Sequence, residues 1–328
     1  MNIAQFLQKI TPIDIFVKYQ PKATTELLKQ AAQQALTLTN EERAFLKWLA
    51  VHIQFVHDLY SAINFLATHY SPNSSFRLSE GALAKTIYNT FYAGFEAYNA
   101  TPVDILALHG FDEIAYFNLT NALARDVESR AQRNNITLNY DFFRVDAQSP
   151  DFFYIIIRPQ QIIPYDKYRF YLTVNPQHIR ECVMYIFEKL GEYAWNKSHE
   201  IHFKFSTVTE YRKDSIVIYA DKGIAPIIRQ MPTDWFLQYN LPFCVKLANG
   251  RSMVKNVAAE IVNKLSPYTD KSHGSAISRL LADALFRFSA KAGKLTSWPK
   301  TDQEKIAVIM DVCSKLFEQS IICQEPPI

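Results

Sequence analysis

The residues whose types and spacing could do chemistry sit in two strand-like stretches. The first, "HFKFSTVTEYRKDSIVIYA" (202–220), reads as two strands around a charged turn. Side chains alternate along a strand, so Ile201, Phe203 and Phe205 face a core while His202, Lys204 and Ser206 face away. Arg212 and Lys213 occupy the turn, close to Tyr211 and Tyr219. The second stretch, "YRFYLTV" (168–174), points Tyr168, Phe170, Leu172 and Val174 one way and Arg169, Tyr171 and Thr173 the other. An arginine offers a planar fork that matches phosphate, and a neighbouring phenol adds a donor. A lysine set among other cations is expected to have a depressed pKa and to serve as a base. The pattern therefore fits an anion site with a base beside it; a solvated cationic sheet face is the alternative.

Other candidates are weaker. "HEIH" (199–202) spaces two histidines three apart, but in a strand those positions face opposite ways, and no third ligand is near; no metal site is expected. "SHGSA" (272–276) is not a G-x-S-x-G elbow. "NGRS" (249–252) is a turn before a helix and a common feature. Arg279, early in a helix begun by "KSHGS", adds a second fork, and Lys246 in "LPFCVKL" a further cation.

Composition excludes several classes. Of 328 residues, 48% are hydrophobic and 20% charged, as in ordinary globular proteins. Only 8 glycines are present, which argues against Gly-rich nucleotide-binding loops. The 35 basic and 32 acidic residues nearly balance, so neither nucleic acid nor an anionic membrane surface is an expected partner. Cys182, Cys244, Cys313 and Cys323 are widely spaced in apolar surroundings, which reads as reduced thiols in a cytoplasm-like compartment. The opening "MNIAQFLQKITPIDIF" lacks a signal-peptide pattern, and no apolar run is long enough to span a membrane.

The elements that must position the cations divide in two. Residues 1–137 carry a helical period: "TTELLKQAAQQALT", a long run beginning at Asn40-Glu41-Glu42, a helix after Ser79, and further helices at Thr101-Pro102 and from Asp112 to Arg133. Residues 138–328 turn strand-like, with "LNYDFFRV", "FFYIIIRPQQII" and "YRFYLTV". Asn175-Pro176 then starts a helix whose Ile179, Val183, Ile186, Phe187 and Leu190 form one stripe. The opening hairpin follows, "LPFCVKL" suggests another strand, and helices from Ser252, Ser272 and Thr301 close the chain. The expected fold class is α+β: a helical N-terminal half, then a mixed sheet containing a β-α-β-β unit with flanking helices. If its strands pair, Arg169, Tyr171 and Lys204 share the polar face on adjacent strands.

The order R-x-Y on a strand, a helix, F-K on a strand, and Y-R-x-D-S before the next strand resembles the HopA-type effector family over about residues 138–290. That family includes plant-pathogen type III effectors and lyases of bacterial peptide-modification clusters, those of lanthipeptides and thioamitides. More distantly, the same half resembles the phosphothreonine lyase effectors. The resemblance implies a cofactor-independent lyase that eliminates phosphate from phosphoserine or phosphothreonine in a precursor peptide, leaving dehydroalanine or dehydrobutyrine, after a Ser/Thr kinase has acted. By position it implies Lys204 as general base and Arg169, Arg212 and Arg279 as phosphate ligands. Tyr171 stands where the lyase effectors keep an acid histidine; His202 and His273 are substitutes for that role. The chemistry requires neither metal nor organic cofactor. The alternative is a non-catalytic effector-like protein that binds phosphopeptide or a host protein, which would place it outside the cell. Helix-like patterning from near residue 2 counts against export and favours the cytoplasm.

Overall fold

The computed structural model describes residues 6, 28–29, 38–71, 80–133, 138–139, 152–165, 168–206, 211–237, 239, 243, 257–261, 273–291 and 294–322. In chain order the helices are α1 (Asn40–Val51), α2 (Ile53–His69), α3 (Glu80–Thr86), α4 (Pro102–Leu108), α5 (Glu113–Arg133), α6 (Ile179–Lys197), α7 (Ala225–Arg229), α8 (His273–Ser289) and α9 (Asp302–Ile322). The strands are β1 (Leu138–Asn139), β2 (Phe152–Ile157), β3 (Tyr168–Leu172), β4 (Ile201–Ser206), β5 (Ile216–Ala220), β6 (Val257–Ile261), β7 (Ala290–Lys291) and β8 (Lys294–Leu295). The fold class is α+β, as the sequence implies. Among the described residues no helix is long and apolar enough to cross a membrane.

The chain forms two compact units. One comprises Met1–Tyr92, Pro242–Arg251 and Leu265–Ile328; the other comprises Ala93–Leu241 and Ser252–Lys264. In the first, α8 packs on α3 and α9, and α9 packs on α1 and α2. The long helical run beginning at Asn40 divides at His52, whose backbone φ of −104° and ψ of 25° leave the helical region. Thr39, not Asn40, caps α1, through a reciprocal capping box with Glu42. A π-helix, Ile87–Ala93, continues α3. Gly274 lies against the Tyr92 ring so closely that a Cβ would stand 2.2 Å from it, so the approach of α8 requires glycine. The predicted helix at "TTELLKQAAQQALT" lies, apart from Leu28 and Lys29, outside the described residues.

The second unit holds a six-stranded sheet of order β1-β2-β4-β5-β3-β6, antiparallel at every pairing. The expected β-α-β-β unit is present as β3-α6-β4-β5. Strands β3 and β4 run parallel but do not pair: the returning β5 fills the gap between them and bonds both. The sheet is therefore antiparallel rather than mixed. β6 forms where the sequence pattern suggests a helix, because pairing along β3 satisfies backbone groups an open edge would leave exposed. "LPFCVKL" lies outside the described residues except Phe243, which sits in a turn at φ 63°.

Alternation gives the sheet two unlike faces. Phe170 and Leu172 of β3, Phe203 and Phe205 of β4, and Ile216 and Ile218 of β5 are buried on one. Helix α6 covers it, packing on β2 and β4 with Ile179, Cys182, Val183, Ile186, Phe187 and Leu190 buried. Burying such side chains contributes about 1.5–3 kcal/mol each, which fixes the strand register. Helix α5 packs outside α6, joined to it by the ion pairs Arg130–Glu188 and Arg180–Asp126. Cys182 and Cys313 are buried free thiols; Cys244 and Cys323 lie outside the described residues.

Candidate functional site: the polar face of the sheet

Three rows cross the face opposite α6. Ile156, His202, Tyr219 and Arg169 are register partners in the first, and Tyr154, Lys204, Val217 and Tyr171 in the second. Continuing the alternation, Phe152, Ser206, Ser215 and Thr173 make the third. The predicted cations thus do share one face. Arg169 and Lys204 are not on adjacent strands, however. β5 separates them, so Tyr171 and Lys204 in one row stand roughly 10 Å apart at the backbone.

Lys204 and Arg212 converge on one aromatic ring. Lys204 Nζ stands 3.8 Å from the centroid of Phe152 and donates to Tyr154 Oη at 3.4 Å. Arg212 Cζ lies 5.5 Å from the same centroid. A ring face attracts cations, so two like charges can be held close where water alone would separate them. Arg169 Cζ lies 5.4 Å over Tyr219, on the neighbouring row. Tyr171, by contrast, is 1% exposed, so its phenol is covered rather than open to solvent.

The turn that carries Arg212 is fixed almost residue by residue. Tyr211 Oη donates to the Val174 carbonyl at 2.7 Å, and its ring stacks on Phe95. Burial holds the Tyr211 phenol well above its usual pKa, so it remains a neutral donor. Asp214 takes the Arg212 fork at both oxygens, Nε at 2.9 Å and Nη2 at 3.3 Å. Lys213 donates its backbone N–H to Ala93 and lies over the ring of Tyr98. Ser215 Oγ accepts from Val174 N–H and donates to the Leu172 carbonyl, bolting the turn to the end of β3.

The remaining candidates fall elsewhere. His202 Nε2 lies 2.7 Å from Glu200 Oε1, and Arg158 pairs with the same carboxylate. Burial would raise the Glu200 carboxyl, but the hydrogen bonds from His202 and Arg158 outweigh it and hold the group below the usual range. His202 is therefore tied to an acid at the edge of the face. Arg279 belongs to the other compact unit, where its Nε faces Glu80 at 3.8 Å. His273 begins α8, and its side chain lies outside the described ones; so does the whole of Lys246. Among the described residues no cluster of His, Cys, Asp or Glu could hold a metal ion.

Sequence reasoning missed Phe152, Tyr154 and Asp214. The first two were legible by alternation in "FFYIII" once β2 is paired with β4. Asp214 follows Arg212 by two residues, a spacing within reach of a side-chain pair in a tight turn.

No family model matches the chain, and no curated protein matches it. Its structure resembles that of the effector protein from Pseudomonas syringae pv. tomato strain DC3000, at 14% identity and a TM-score of 0.45, covering 71% of this chain and 86% of that one. It also resembles the effector protein from Pseudomonas syringae pv. syringae strain 61, at 12% identity and a TM-score of 0.44, covering 70% and 87%. The chain is distantly similar in structure to bacterial effector proteins, and its sequence assigns it to no family.

Proposed function

We propose that the polar face binds a phosphorylated serine or threonine of a peptide and eliminates its phosphate. The observation that carries this reading is the convergence of Lys204 and Arg212 on Phe152, with Arg169 and Tyr171 on the same face. Arg212 and Arg169 bind the phosphate oxygens as charge-assisted donors. Lys204, as the free amine, removes the α-proton. The C–H electron pair becomes the Cα=Cβ double bond, the Cβ–O bond breaks, and phosphate leaves with that pair. The guanidinium groups stabilise charge developing on the leaving phosphate. A phosphate dianion needs little protonation to depart, so the scheme asks no proton of the buried Tyr171. The peptide must arrive phosphorylated, which calls for a kinase acting first. No metal or organic cofactor has a step in this scheme.

A second reading is a non-catalytic phosphopeptide-binding or host-protein-binding protein of the effector type. Lys204 Nζ over the Phe152 ring favours it, because a ring face stabilises the ammonium rather than the free amine. One pair of variants separates the two. Under the lyase reading Lys204→Ala retains phosphopeptide affinity within a few-fold but loses elimination by about a hundredfold or more, whereas Arg169→Ala weakens affinity. Wild-type turnover in Lys204→Ala removes Lys204 as the base; binding without turnover in the unaltered protein selects the second reading.

A further inference from the structure

Resting on the phosphate-site reading above, we propose that Asp214 is a positioning residue that sets the orientation of the Arg212 guanidinium toward a phosphate monoester beside Lys204. Asp214 is 2% exposed, so a carboxylate has been taken out of water at a cost that must be recovered. What it holds is Arg212, only two residues away, at 2.9 and 3.3 Å. A pair at that spacing joins no two elements of the fold, unlike Arg130–Glu188 and Arg180–Asp126, which tie α5 to α6. Nor does the turn require it as a fastener. Tyr211 Oη to Val174, Lys213 N–H to Ala93 and the two bonds of Ser215 Oγ already anchor the same five residues.

The consequence of the pair is directional. A guanidinium carries five N–H donors in one plane, and two bonds along one edge fix that plane. Asp214 takes the Nε–Nη2 edge, while Cζ lies 5.5 Å from the centroid of the ring that carries Lys204. An arginine fixed in this way loses little freedom when an anion arrives; a lysine at the same position has no plane to fix. Asp214 therefore serves recognition of a tetrahedral dianion rather than general attraction of negative charge, which removing its own charge would strengthen.

The test is the preference for a labelled phosphoserine peptide over the same peptide with serine, read as a ratio of Kd values. Asp214→Asn is expected to lower that ratio about tenfold, and Arg212→Lys comparably. The double variant is expected to fall no further than Arg212→Lys alone, because Asp214 acts through Arg212. An unchanged ratio in Asp214→Asn, or losses in the double variant that multiply, overturns the proposal. If Asp214→Asn fails to fold, Asp214→Glu decides instead: a longer carboxylate that keeps the full ratio in a folded protein, with Arg212→Lys also unchanged, removes the role. A wild-type protein that prefers the phosphopeptide without turning it over refutes the lyase reading and leaves these ratios to decide Asp214. A wild-type protein with no preference refutes both.

Discussion

Two buried tyrosines in contact should respond in opposite ways to loss of a single oxygen. The rings of Tyr116 and Tyr211 meet edge to face at 5.5 Å, and both residues are fully buried. Tyr211 Oη donates to the Val174 carbonyl at 2.7 Å, whereas Tyr116 Oη is buried with no hydrogen-bond partner among the described residues. Tyr211→Phe keeps the stacking on Phe95 but leaves the Val174 carbonyl short of a donor. A buried hydrogen bond lost on one side costs about 1–3 kcal/mol. Tyr116→Phe removes a hydroxyl that already bears its desolvation cost, so the expected change is near zero or stabilising. Amide hydrogen exchange along β3 and β5, with urea unfolding of the full chain, reads the difference in the sheet unit itself. Protection in Tyr211→Phe should fall by about 1–2 kcal/mol, while Tyr116→Phe should match or exceed the unaltered protein. Equal losses in the two variants would refute the reasoning, since ring packing would then account for both.

Further outcomes follow from the same geometry. Glu200→Gln should flatten the acid limb of the stability profile. The Glu200 carboxyl is held below its ordinary value, so its contribution is present above the unfolded pKa of about 4.3 and is lost as pH falls through the folded value. An unchanged acid midpoint on urea unfolding would contradict this. Gly223→Ala places a Cβ 2.0 Å from Tyr193 Oη and 2.7 Å from Asp221 Oδ1, so it should break the Tyr193–Asp221 hydrogen bond. A loss of about 1–3 kcal/mol in the urea midpoint is expected, and a neutral result would show that Tyr193 swings aside freely. Ser215→Ala removes both bonds that hold the turn to β3 and should cost about 1–3 kcal/mol by the same measurement.

The face assignment was legible in the sequence because a strand repeats every two residues: Arg169, Tyr171 and Lys204 fall on one side by counting alone. The strand order was not. Nothing in "SIVIYA" says that it returns between β3 and β4 rather than outside them; hydrogen bonding to both neighbours decides that. β6 reads as part of a helix in the sequence because "VAAEI" carries no alternation, and pairing with β3 overrides the local preference. The burial of Tyr171 depends on what covers the face, which no periodicity records. In the turn, "YRKD" reads as a solvated charge run. Yet Lys213 is 1% exposed and Asp214 2%; the Tyr98 ring receives the first and the Arg212 fork the second. Charges in sequence reveal their sign but not their dielectric surroundings.

Elimination and hydrolysis both release phosphate, so the most direct measurement follows both products at once. A phosphoserine peptide is incubated with the purified protein, with phosphorus NMR reporting the ester and free phosphate and proton NMR the peptide. The account predicts that free phosphate and the vinyl protons of dehydroalanine rise together, and that both signals vanish with Lys204→Ala. Release of phosphate with serine left behind, or an ester resonance that neither shifts nor decays on addition of the protein, would contradict it.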